Sequence, residues 1–138
     1  MHPEFTIIYL EQPAWEVIGG GLTEFNKQEA GDDAGKNLCY VLQSPSGEIV
    51  GGVIGATYWN WLYINLMWVQ EDLRGKGYGQ QLLALAEDEA KKRGAKHAYL
   101  DTFSFQAPHF YQKFGYEEFG RLEDFPPGHT RYFMTKAL

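Results

Sequence analysis

The sequence predicts one mixed α/β domain of the α+β kind, spanning 1–138, in which antiparallel strands precede a parallel strand–helix–strand unit. Three observations carry this expectation. Two strand-like stretches, 38–43 and 48–58, flank Ser44, Pro45, Ser46 and Gly47, which is hairpin turn chemistry. An alternating stretch at 62–69 is followed by a helical period over 79–90 and a further strand-like run over 96–102. Two such strands joined through a helix lie parallel, with a right-handed crossover. Finally, 138 residues with 44% apolar and 22% charged content suit a single core.

Taken in order, Phe5 to Leu10 reads as a short opening strand. Ala14 to Ala30 has helical character, but Gly19, Gly20 and Gly21 fall in its middle. At a cost of about 1 kcal/mol each they predict a helix in two parts with a flexible joint. Gly31 to Asn37 is a polar loop. In the strand from Glu48 to Tyr58, Gly51 and Gly52 suit a bulge. Along Leu62 to Val69, alternation sets Leu62, Ile64, Leu66 and Trp68 on one face and Tyr63, Asn65, Met67 and Val69 on the other. In the helix from Gly79 to Ala90 the positions Gly79, Leu82, Leu83, Ala86 and Ala90 form the inner stripe. Glu87 with Lys91, and Asp88 with Lys92, form i,i+4 pairs on its outer face, and Gly94 ends it. Ala107 to Phe114 fits a short helix with Pro108 near its start and Gly115 past its end. Tyr116 to Leu122 and Arg131 to Ala137 read as closing strands around a loop holding Pro126, Pro127 and Gly128.

Charge and cysteine content narrow the function classes. Twelve Lys and Arg against eighteen Asp and Glu leave a net charge of -6. That balance disfavours nucleic acid and anionic membrane surfaces as partners, and it suits a cationic substrate. The single cysteine, Cys39, supports neither an internal disulfide nor a thiolate metal site. Met1, His2, Pro3 and Glu4 put no basic segment ahead of an apolar run, and no apolar stretch reaches about 18 residues. The expectation is a cytoplasmic protein that is neither secreted nor membrane-spanning. His2, His97, His109 and His129 are scattered without metal-site spacing, so no metal is expected.

The segment Leu73, Arg74, Gly75, Lys76, Gly77, Tyr78, Gly79 stands between a strand and a helix. Glycines there let backbone N–H groups approach an anion at the positive end of the helix, although a solvated turn explains glycine content alone equally well. A mononucleotide P-loop is excluded because Lys76 is followed by Gly77 rather than Ser or Thr. The dinucleotide fingerprint fails as well: the spacing is Gly75-x-Gly77-x-Gly79, and one strand–helix–strand unit behind antiparallel strands is not a doubly wound sheet.

This segment resembles the acetyl-CoA loop of the GNAT superfamily of N-acetyltransferases, whose pattern is Arg/Gln-x-x-Gly-x-Gly/Ala; Arg74, Gly77 and Gly79 match it in place. The run from Ala107 through Tyr111 to Gly115 and Tyr116 is similar to a second signature of that family, Ala-x-x-(aromatic or Leu)-Tyr-x-x-x-Gly-(Phe/Tyr). The two stand in the family's order, about thirty residues apart, each in its expected structural context, and the likeness extends over nearly the whole chain. It implies a mixed central sheet of about six to seven strands flanked by about four helices. It also implies an enzyme that moves an acetyl group from acetyl-CoA, its co-substrate, to a primary amine, preferentially that of a small molecule.

Acyl transfer from a thioester to an amine needs a neutral amine lone pair, a polarised carbonyl and a proton for the departing thiolate. By resemblance, the main chain of Met67, Trp68 and Val69 binds the pantetheine arm like an added strand. Backbone N–H groups of Arg74, Gly75, Lys76, Gly77, Tyr78 and Gly79 then hold the pyrophosphate, with the Arg74 and Lys76 side chains adding positive charge. Tyr111 matches the family tyrosine that protonates the coenzyme A thiolate. Without that likeness Tyr111, beside Phe110 and Phe114, reads as a core aromatic. Ser104 stands where many members carry an Asn that contacts the cofactor. The departure leaves that contact to Ser104 or to Gln106, which reads equally as a helix cap.

No general base stands out. Glu24, Glu71 and Asp101 are candidates, although carboxylates in such places are more often solvated or helix partners. Leu22, Phe25, Tyr63 and Asn65 are expected at the acceptor site, where the split helix meets the central strand. Phe103 and Phe105 offer a further aromatic wall, yet aromatics at all these positions also suit an ordinary core. Two other classes stand beside the enzyme. A non-catalytic acyl-CoA sensor needs the loop but not Tyr111, and a nucleotide-binding structural domain is disfavoured by the loop's departures. The sequence leaves the acceptor's identity and a homodimer open.

Overall fold

The computed structural model describes residues 4–138, in two compact units that part between Asp33 and Ala34. The readings of the amino terminus and of His2 lie outside the described residues. The first unit holds one helix, α1 (Trp15–Ala30). Residues 5–10, expected as a strand, form none: extended chain becomes β structure only where a ladder takes up its N–H and C=O groups, and this stretch enters no ladder. The three glycines do not split α1, which runs unbroken for 16 residues. Glycine weakens a helix without blocking its hydrogen bonds, and cooperative propagation from both sides carries the ladder through.

The second unit follows the expected order with shifts of one or two residues at element ends: β1 (Lys36–Gln43), β2 (Ile49–Tyr58), β3 (Trp61–Val69), α2 (Tyr78–Lys92), β4 (His97–Phe103), α3 (Pro108–Lys113), β5 (Glu117–Glu123) and β6 (Thr130–Ala137). The six strands form one sheet in the order β1-β2-β3-β4-β6-β5, in which only β3 and β4 pair in parallel. Among the described residues there are three α-helices rather than about four, with one further turn of 3-10 helix at Glu71–Leu73. Leu82, Leu83 and Ala86 of α2 share the buried core with Leu62, Ile64 and Leu100 of the sheet.

Two local features depart from the sequence reading, and both shape the site. The bulge in β2 falls at Val50, beside rather than at the glycine pair, because Leu42 pairs with Gly51 and Gln43 with Ile49. A second bulge lies in β3: Ile54 pairs with Leu66 and Gly55 with Ile64, so Asn65 is the extra residue. One inserted residue reverses the alternation. Leu62 and Ile64 are buried as expected. Beyond Asn65, however, Met67 and Val69 turn to the core while Leu66 and Trp68 are exposed.

Glu87 is the third departure. It is buried rather than paired with Lys91 on the outer face; Tyr116 Oη donates to its Oε2 at 2.9 Å and Lys136 Nζ to its Oε1 at 2.9 Å. Glu87 lies one turn beyond Leu83 on the same stripe, and these donors offset the desolvation of its carboxylate. The i,i+4 ion pair at the end of α2 is instead Glu89 with the C-cap Arg93, half-buried, at 2.9 Å.

Candidate active site

The parallel ladder between β3 and β4 runs only from Trp61 opposite His97 to Ile64 opposite Leu100. Past that point a cleft of about 670 Å3 opens, lined on one side by Asn65 to Val69 of β3 and on the other by Asp101 and Thr102 of β4. The opposite edge of β3 stays paired with β2 as far as Val69. The edge facing the cleft therefore has no strand partner from Leu66 onward, and such an edge accepts an extended chain bearing amides.

The far end of the cleft is the start of α2. Gly75 and Gly77 sit at φ 76° and 88°, the left-handed region that a side chain strains to adopt, and Gly77 is the N-cap with no side-chain cap bond. No acidic residue in the first turn of α2 offsets its positive dipole end, and Gly77, Tyr78, Gly79 and Gln80 at that end line the cleft with Gly75. Gly79 answers a separate need: a Cβ there would stand 3.3 Å from Cζ of Phe110, so its absence lets α3 close on α2. Arg74 is anchored at the junction, its Nε donating to the carbonyl of Val69 at 2.9 Å. This ties the loop to the end of the open strand edge.

Tyr111 of α3 also lines the cleft. Its ring is buried, packed edge-on against Phe110 at 5.3 Å and Tyr116 at 5.8 Å. Among the described residues no buried side-chain oxygen lacks a partner. The Tyr111 hydroxyl, which receives and gives no hydrogen bond, is therefore reached by solvent in the cleft. Burial, and after it the negative charge of Asp101, pushes its pKa up from 10.0 to about 12.

The cleft gathers most of the residues singled out in the sequence. Met67, Trp68, Val69 and Asn65 line it from β3; Arg74, Gly75, Gly77, Tyr78 and Gly79 line it from the loop. Lys76 is exposed and is not among its lining residues. Ser104 lies apart, its hydroxyl accepting the Thr130 N–H at 3.1 Å in a smaller depression near Arg121. Gln106 lines the cleft but is not a helix cap: α3 is capped by Ala107, and Gln106 Oε1 accepts the Phe103 N–H at 2.8 Å. Tyr63 stacks on Tyr99 at 4.8 Å on the sheet face, outside the cleft lining. Leu22 and Phe25 are exposed on α1 in the first unit, where Glu24 accepts a hydrogen bond from Gln28 at 3.4 Å. Phe105 does line the cleft, with Phe103 stacked on it at 5.4 Å.

Phe110 and Phe114 line the cleft too, beyond the packing role that their spacing predicts. Their i,i+4 spacing signals an apolar helix face, and half of that face closes the core while the other half walls the cleft.

The profile described as Acetyltransferase (GNAT) family matches residues 2–116. Blasticidin-S acetyltransferase of Streptomyces morookaense is 41% identical over 93 residues, which are 67% of this chain and 68% of that protein. Acetyltransferase Atu2258 of Agrobacterium fabrum is 32% identical over 125 residues, 91% of both chains. The crystal structure of an acetyltransferase from Bacillus cereus superposes with a TM-score of 0.86 at 37% identity, covering 95% of this chain and 98% of that one. The chain therefore belongs to the GNAT acetyltransferase family and is an acyltransferase of the N-acetyltransferase type.

Proposed function

We propose that residues 1–138 act as one catalytic domain that transfers an acetyl group from acetyl-CoA to the primary amine of a small molecule, with Tyr111 as general acid. The observation that carries this reading is a single cleft uniting the open edge of β3, the glycine loop at the start of α2 and the unbonded hydroxyl of Tyr111. These parts suit acetyl-CoA, which when bound supplies the activated acetyl thioester. The main chain of Met67, Trp68 and Val69 holds the amide-bearing arm as an added strand. Loop N–H groups from Arg74 to Gly79, with the dipole of α2, hold the pyrophosphate; Arg74 and Lys76 contribute charge around it. Gln106, lining the cleft, is the better candidate for the contact that Ser104 was expected to make.

A buried phenol with a raised pKa keeps its proton at neutral pH, so Tyr111 Oη is stocked to protonate the departing thiolate. The likeness to Blasticidin-S acetyltransferase supports a small-molecule acceptor. The single cysteine supports a cytoplasmic site of action, and no helix among the described residues is long and apolar enough to cross a membrane.

The test is thiol release from acetyl-CoA in the presence of alkylamines, polyamines, aminoglycosides and peptides. Tyr111→Phe is expected to lower kcat by about 100-fold, with the KM for acetyl-CoA changed by no more than about twofold. Equal turnover in the variant would assign the proton to another group. Binding of acetyl-CoA without thiol release from any amine would make the chain an acyl-CoA sensor.

A further inference from the structure

Asp101 and Asn65 are the first residues of β4 and β3 beyond the last parallel pair, and both line the cleft at the fork where it begins. On the acetyl-transfer reading above, on which this inference rests, an arm lying along Met67 to Val69 points its reacting end at that fork. The Asp101 carboxylate is held from one side only. Arg131 Nε donates to Oδ2 at 2.8 Å, and Nη2 completes the ion pair 2.7 Å from the same oxygen. Oδ1 has no hydrogen-bond partner and, since no buried side-chain oxygen among the described residues is left unpartnered, it is reached by solvent, on a residue that lines the cleft.

Arg131 is not free to cover Oδ1. Its guanidinium lies 5.5 Å, 5.1 Å and 5.2 Å from the ring centroids of Phe103, Phe125 and Phe133, which fix it over an aromatic bed on the β6 side. Tyr99, Asp101 and Phe103 share one face of β4 by alternation, and Tyr63 is stacked on Tyr99 there, with the Tyr99 and Tyr58 hydroxyls hydrogen-bonded to each other. The fork thus joins an open carboxylate oxygen to electron-rich rings, the combination that attracts an organic cation.

We propose that Asp101 binds the acceptor, taking the N–H donors of a cationic alkylamine on its open Oδ1 at the fork and selecting it over a neutral arylamine. A carboxylate acceptor also suits the amine after it loses its proton. The oxygen takes an N–H and leaves the lone pair free to face the acetyl group.

Two measurements at one fixed pH near neutrality test this. In thiol-release kinetics, Asp101→Asn keeps an oxygen for Arg131 but removes the charge. Its ratio of kcat/KM for n-butylamine over that for 4-methylaniline is expected to fall about tenfold, while the KM for acetyl-CoA stays within about twofold. An unchanged ratio, or a parallel loss on acetyl-CoA, overturns the proposal. In the second measurement the wild-type protein is titrated with n-butylammonium chloride and followed by amide NMR, which needs neither turnover nor a folded variant. Shifts centred on Asn65 and Asp101 are expected; their absence overturns the proposal. If wild type releases no thiol with any amine yet shows these shifts, the cation site stands and the acetyl-transfer reading is what fails.

Discussion

Glu87 and Asp101 are both carboxylates drawn away from water beside a cationic side chain, yet they differ in how fully they are used. Glu87 takes one bond from Tyr116 and two from Lys136, so both oxygens are engaged and the cluster ties α2 to the last strand. Asp101 leaves one oxygen for a ligand. The charge at Asp101 also acts on its neighbours. Burial first and Asp101 second raise the pKa of both Tyr63 and Tyr111, because a phenolate near a carboxylate is disfavoured twice. For Tyr111 the sign is clear: its proton is retained in the folded protein up to about pH 12, whereas an unfolded tyrosine loses it near 10.0. Its contribution to stability is complete below pH 10 and lost between pH 10 and 12. A proton donor of this kind gives no alkaline fall in kcat at saturating acceptor through pH 9, where activity is measured on a folded enzyme. A fall centred near pH 8 would identify a different donor, and the Tyr111→Phe profile measured alongside would show it unchanged.

At the scale of elements, glycine has opposite effects in the two units. A Cβ at Gly20 in α1 meets no heavy atom within 4 Å among the described residues, whereas one at Gly52 in β2 would stand 2.8 Å from the Tyr40 carbonyl oxygen. Gly20→Ala is therefore expected to stabilise α1 by about 1 kcal/mol, and Gly52→Ala to destabilise the sheet by about 1–3 kcal/mol. Melts followed by circular dichroism check both, and equal effects would mean that helix propensity and strand spacing are not the terms at work.

The same contrast shows what a sequence can display. Turn chemistry at 44–47 and helical spacing at 79–90 are local signals, and β1, β2, β3, α2 and β4 emerged close to their expected bounds. The Asn65 bulge is not local. Alternation along β3 reads smoothly through it, and only the pairing with Ile54 and Gly55 shows that one residue is extra. The burial of Glu87 is hidden from local pattern for a related reason, since its partners Tyr116 and Lys136 are 29 and 49 residues away. Tyr111 and the loop were legible through their motif, but the open oxygen of Asp101 depends on a bond to Arg131, 30 residues on, that no spacing rule anticipates.

For the molecule as a whole, the difficulty is that a chain of net charge -6 is to hold a polyanionic co-substrate. Long-range repulsion works against it, so on the proposed function the short-range donors are what would hold it: loop amides, the start of α2, and the guanidinium of Arg74, whose Nε bonds the Val69 carbonyl. Those donors belong to the second unit and are present only when it is folded, so occupancy stabilises the native state by linkage. At a concentration of acetyl-CoA about 100 times its Kd, the gain is about 2.7 kcal/mol. For a protein of this size that is a rise in Tm on the order of 5–10 °C. Arg74→Ala should weaken binding, shrink this rise at the same ligand concentration and leave the Tm of the free protein within about 2 °C, since Arg74 is exposed and its one side-chain bond lies on the surface. Thermal melts of both proteins with and without acetyl-CoA make the comparison. No rise in the wild type would mean that the cleft does not hold the co-substrate, and an undiminished rise in Arg74→Ala would leave the loop amides and the α2 dipole as the whole of the anion site.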